Sequence, residues 1–175
     1  AASTGIQFSP TQAQPLTPSE QLLHTVSLTN NYVAETHEAA NMFATVFIAI
    51  LDAHSGQVWY INCGNDPALI ISGDGSVRDQ LKPTGPVVGA LSNARYKVEE
   101  TRLTPDEMIL AFTDGIPDTK NAGGEFFGVT RLTDLLSPKD TPTALLEKVA
   151  AALASFSGET EQFDDITLMG IKRKA

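Results

Sequence analysis

Two apolar runs, residues 43–51 and 57–62, stand on either side of the five-residue link Asp52-Ala-His-Ser-Gly56, and this pairing limits the fold more than any other feature. The first run is almost continuously apolar and β-branched or aromatic at many sites, so it reads as a strand buried on both faces. Parallel pairing needs a crossover of roughly a dozen residues or more, so a link this short predicts an antiparallel neighbour. The punctuation continues downstream. Gly64-Asn-Asp-Pro67 turns the chain into residues 68–72, and Gly73-Asp-Gly75 is hairpin chemistry. Residues 82–90 hold two prolines and two glycines and read as a loop. Strands are expected at about 96–101 and 107–113, on either side of Leu103-Thr-Pro-Asp106, with a final strand at 166–171.

Helices frame this meander. Thr17, Pro18 and Glu20 supply an N-cap, a first-turn proline and a capping box. Leu22, Leu23, Val26, Tyr32 and Val33 follow as an apolar stripe, which predicts a helix to about residue 37. Two more helices are expected at about 125–136 and 142–156. The order helix, sheet meander, two helices, strand defines an α+β fold with an antiparallel sheet. Residues 1–16 read as an irregular lead-in and 17–175 as a single domain, a length that buries a substantial core.

Charge narrows the partners. Twenty-one acidic residues against twelve Lys and Arg give a net charge of −9, which argues against nucleic acid, because phosphate contacts need a basic face. A phosphorylated substrate stays compatible if a bound cation inverts the local potential. The longest uncharged apolar run, residues 42–51, is too short to span a bilayer, and the first residues lack the pattern of a signal peptide. A single cysteine, Cys63, asks for no oxidising compartment, so the cytoplasm is the default location.

The chemistry is expected where two strand ends meet. Thr113-Asp114-Gly115 closes one apolar run and Asp164-Asp165 opens the last. Antiparallel pairing of these runs puts carboxylates fifty residues apart in sequence at one sheet rim. Such charges repel unless a proton or cation lies between them. Oxygen donors suit a hard cation such as magnesium or manganese, and no Cys/His cluster offers a softer site. The alternative at this stage is that each Asp only shapes a turn.

Taken together, six stretches resemble the type 2C metal-dependent protein serine/threonine phosphatases, in the branch of the sporulation stage II E phosphatases and stress sigma-factor regulators. They are Met42-Phe-Ala-Thr-Val-Phe47 with Leu51-Asp52, Gly64-Asn-Asp-Pro67, Gly85-Pro-Val-Val-Gly89, Thr113-Asp-Gly-Ile-Pro-Asp118, Gly124-Glu-Phe-Phe-Gly128 and Asp164-Asp-Ile-Thr-Leu168. They come in family order and cover residues 17 to 172. The resemblance implies a sandwich of two antiparallel sheets flanked by helices, with a two-metal site at one edge. It implies that Asp114 and Asp164 are metal ligands and the catalytic pair, with Gly115 in the same turn, Asp165 ordering the turn or a ligand water, and Asp118 behind them. Mg2+ or Mn2+ would activate a water toward phosphoserine or phosphothreonine on a regulatory protein, of the anti-sigma-factor-antagonist type.

Two departures qualify the resemblance. The family's Gly-Asp-x-Ser-Gly motif, whose Asp bridges both metals, would precede the first helix, yet no acid occurs before Glu20. Asn65 stands where relatives usually have His. The chain is therefore expected to be part of a longer protein, with weak activity alone and an open sheet edge through which it self-associates as a homodimer or larger species. The alternative is an inactive, partner-binding relative. The remaining chemistry-bearing residues have plainer readings. His24, His37 and His54 are scattered, Cys63 reads as a buried thiol, and Trp59, Phe43, Phe47, Phe126 and Phe127 as core. Gly123-Gly124 reads either as a mobile loop or as a helix entry.

Overall fold

A computed structural model describes residues 15–36, 42–162 and 164–174. Helix α1 (Pro18–Thr36) is followed by strands β1 (Val46–Leu51), β2 (Gln57–Cys63), β3 (Ala68–Ile71), β4 (Val77–Leu81), β5 (Glu99–Arg102) and β6 (Met108–Phe112). Helices α2 (Gly128–Asp134) and α3 (Pro142–Ser157) and strand β7 (Leu168–Lys172) complete it. The strands form two antiparallel sheets, ordered β1-β2-β5 and β4-β3-β6-β7.

The layers follow from side-chain alternation. Leu69 and Ile71 of β3, with Met108, Leu110 and Phe112 of β6, pack under α2 and α3. Their alternates Ala68, Ile70, Ile109 and Ala111 face Val58 and Tyr60 of β2 across the sandwich. Ile61 and Cys63 on the far face of β2 pack beneath Leu22 and Val26 of α1. The result is a helix–sheet–sheet–helix stack, in agreement with the expected α+β sandwich.

One local expectation holds in atomic detail. Thr17 and Glu20 form the capping box: the Thr17 N–H donates to Glu20 Oε2 (2.8 Å) and the Glu20 N–H to Thr17 Oγ1 (3.3 Å). Residues 37–41, with His37 and the expected end of the first helix, lie outside the described residues, as do residues 1–14 of the expected lead-in.

Other expectations need correction. The single meander is split: the 64–67 turn carries the chain into the four-stranded sheet, residues 82–98 return it to β5 of the three-stranded sheet, and residues 103–107 cross again to β6. A four-residue link serves a hairpin or a crossing equally well, so its length could not decide. β1 begins at Val46 and is an edge strand whose residues are only partly buried, with Ala49 exposed, although its two faces do reach both cores. Phe43 (65% exposed) and Phe126 (51%) lie outside the core, and Phe126 instead carries the Lys120 ammonium 4.8 Å above its ring. Tyr32 is exposed, and the buried line of α1 is Leu22, Val26, Asn30 and Ala34. Residues 121–125 form a tight turn closed by a Lys120–Phe126 bridge, so Gly123-Gly124 is not a helix entry and α2 starts only at Gly128.

Candidate functional site

The last two strands of the four-stranded sheet build the rim. β6 pairs with β7 from Met108–Lys172 to Phe112–Leu168, so the end of β6 adjoins the start of β7. Beyond the ladder the contact continues through Thr113. Its N–H donates to Thr167 O (3.1 Å), its hydroxyl donates to Asp165 O (2.9 Å), and the same hydroxyl accepts from the Thr167 N–H (2.9 Å). Asp114 thus leaves β6 beside the segment that holds Asp164 and Asp165, as the sequence suggested.

The turn after β6 is tightly made. Asp118 N–H donates to Asp114 O (2.8 Å), and the Thr119 hydroxyl donates to Gly115 O (2.6 Å). A side chain on Gly115 would overlap the Asp165 carbonyl oxygen, so the two segments approach as closely as glycine allows. Gly115 itself is buried, whereas Asp114, Asp118, Asp164 and Asp165 are exposed. Asp164 Oδ1 accepts the Asp165 N–H (2.7 Å), which fixes the approach to β7.

A fifth carboxylate joins this rim, one that sequence reasoning missed. Asp66 lies in the crossing between β2 and β3, at the end of the sandwich where β6 finishes. Burial pushes its carboxyl above the ordinary range, and the charges of Asp114 and then Asp118 push it in the same direction. The Asn65 carboxamide pins the crossing there, donating to Phe112 O (3.0 Å) and Asp66 O (2.9 Å). The Gly64-Asn-Asp-Pro67 motif was visible, but its Asp reads as a turn residue until the crossing is known.

Beside the rim, a cavity of about 460 Å³ opens between the C-terminal half of α3 and residues 115–120. Gly115, Asp118 and Asp164 line one side, and Leu153, Ala154 and Ile166 give it an apolar wall. The candidate residues elsewhere keep their plain roles. His24 and His54 are exposed, and Cys63 is fully buried with burial raising its thiol to about 11, which leaves it mostly protonated near neutrality.

Among the described residues, no three His, Cys, Asp or Glu side chains converge closely enough to hold a metal ion by themselves. The donor chemistry nevertheless fits a hard cation. Every acid of the rim offers oxygen, Asp114 and Asp118 act on Asp66 as like charges, and Mg2+ takes one or two carboxylates and completes its shell with water. No helix among the described residues is long and apolar enough to cross a membrane.

A two-sheet sandwich with helices outside and carboxylates at one rim is the architecture of a type 2C phosphatase domain. Residues 8–174 match the Stage II sporulation protein E (SpoIIE) family, and the chain belongs to that family. Protein IcfG of Synechocystis sp. is 36% identical over 154 residues, 87% of this chain and 24% of that protein. Phosphoserine phosphatase RsbU of Bacillus subtilis is 26% identical over 146 residues, 82% of this chain and 43% of RsbU. The chain therefore spans less than half the length of either relative. Among solved structures, the SiaA-PP2C domain of Pseudomonas aeruginosa superposes with a TM-score of 0.74 at 23% identity, covering 86% of this chain and 60% of that one. That likeness is one of fold.

Proposed function

We propose that this chain is a metal-dependent protein serine/threonine phosphatase domain that hydrolyses phosphoserine or phosphothreonine on a regulatory protein, of the anti-sigma-factor-antagonist type. The observation that carries the proposal is the β6–β7 pairing, which sets the Asp114 turn against the Asp164-Asp165 segment. Membership of the SpoIIE family and the likeness to a phosphoserine phosphatase support the same reaction.

In this reading Asp114 and Asp164 hold Mg2+ or Mn2+, and Gly115 lets their two segments come together. Asp165 fixes the approach to β7 through its contact with Thr113, and Asp118 braces the turn from behind. A bound divalent cation supplies an activated water and draws charge from the phosphoryl oxygens. The acids of the rim repel a free phosphate dianion, so substrate binding depends on the cation being loaded first.

The test is phosphate release from a phosphoserine peptide with Mn2+ or with EDTA. Release that needs Mn2+ and falls at least about 100-fold in Asp114→Asn and in Asp164→Asn is expected. Equal release in EDTA would end the reading. A second reading, a phosphatase-like module that binds a partner without catalysis, is favoured by the lack of three converging ligands among the described residues. It predicts no release under any condition from a correctly folded chain.

A further inference from the structure

Asn65 occupies an unusual position in the frame. Its backbone N–H donates to the side chain of the fully buried Asn62 (2.8 Å), whose own amide donates to Leu81 O (3.0 Å). Its carboxamide has two donor hydrogens, and both are used: one reaches Phe112 O at the end of β6, the other Asp66 O. Phe112 is two residues before Asp114, and Asp66 is the next residue after Asn65. One side chain therefore ties the sheet-crossing turn to the strand that delivers Asp114. Packing alone would be served by an apolar group here, whereas this amide joins two backbone carbonyls that belong to different sides of the rim.

We propose that Asn65 is a positioning residue that holds Asp66 beside the Asp114 turn, where its carboxylate acts on the cation site from outside the ligand set. The inference rests on the metal-dependent reading given above. Asn65 acts through Asp66 and touches neither metal nor substrate. Removing its amide frees the crossing from β6, so Asp66 drifts from the rim while both strands of the Asp114–Asp164 pair stay in place. Groups of this kind behind a metal site typically change affinity by about 10- to 100-fold.

A double-mutant cycle on Mn2+ affinity tests this, with free Mn2+ followed by its paramagnetic resonance signal and thermal melting recorded in metal-free buffer. Asn65→Ala is expected to weaken Mn2+ binding about tenfold, and Asp66→Asn by at least as much. The double variant should bind no worse than Asp66→Asn alone, because Asn65 has nothing left to position. Asn65→His keeps one N–H donor and should lose less than Asn65→Ala, which serves if the alanine variant folds poorly. An Asn65→Ala affinity within twofold of the unmodified chain would overturn the inference, and so would losses that multiply in the double variant. An unmodified chain that leaves the Mn2+ signal unchanged overturns the metal reading itself, and this inference with it.

Discussion

Gly115→Ala isolates the closest approach at the rim. The φ of Gly115 lies outside the left-handed region, so alanine can adopt its backbone conformation and only contact matters. The new Cβ would overlap the Asp165 carbonyl oxygen and sit 2.9 Å from the carbonyl carbon and 3.3 Å from Ile166 Cγ1. Backbone atoms cannot rotate away, so the 164–167 segment has to move by about 1 Å, enough to break the Thr113 Oγ1–Asp165 O bond. Overpacking of this kind costs about 1–3 kcal/mol and the lost hydrogen bond about 1 kcal/mol. The smaller entropy of an unfolded alanine returns about 0.4–1 kcal/mol. The net loss is about 1–3 kcal/mol, or a Tm lower by about 3–10 °C for a chain of this size. Urea denaturation measures it, with Gly123→Ala as the control, since a Cβ there meets only Asn121 Oδ1 at 3.3 Å. If Gly115→Ala and Gly123→Ala both stay within about 0.5 kcal/mol of the unmodified chain, the contact between the Asp114 turn and the approach to β7 is not as described.

Three further outcomes are expected. Asn30 is fully buried and accepts from the Gly89 N–H (3.0 Å) and the Tyr96 hydroxyl (2.9 Å), so Asn30→Leu should lose about 2–4 kcal/mol in urea denaturation, and Tyr96→Phe only about 1 kcal/mol. Burial raises the Cys63 thiol from 9.0 to about 11, so the folded chain keeps a proton that the unfolded chain releases; stability should fall as pH rises from about 9 to 11. Cys63→Ala should remove part of that slope, the rest belonging to Tyr60 and Tyr96, which burial also shifts upward. The edge strand β7 carries exposed Met169 and Ile171, and light scattering over a concentration series should show self-association; a monomer at every concentration would contradict it.

Much of this was readable from local patterns. The capping box at Thr17 and Glu20, the buried thiol of Cys63 and, once the two runs pair antiparallel, the placing of the Asp114 turn beside the 164–165 segment each follow from spacing and residue type. The missed features depend on which sheet a strand joins. Asp66 looks like turn chemistry until the 64–67 link is known to cross between sheets at the end of β6. Asn30 falls on the i, i+4 line from Leu22 and Val26, but an asparagine there signals burial only if loop groups supply partners, and those come from residues 89–96. Phe43 and Phe126 misled because hydrophobicity does not say which aromatic side chains a sheet edge or a turn leaves in water.

Two of the three crossings, 64–67 and 103–107, lie at opposite ends of the sandwich. One is pinned to β6 by Asn65, and at the other Arg173 donates to Leu103 O (2.7 Å) and His54 O (2.9 Å). Fastened at both ends, the sheets resist shear along their strands, and the Arg173–His54 bond ties the residue after β7 to the link after β1. Mechanically the molecule resembles a book clasped at top and bottom, stiff lengthwise. Asp66 stands at one clasp, so strain that loosened that end would change the spacing of the rim acids, whereas strain at the Arg173 end would leave it unchanged.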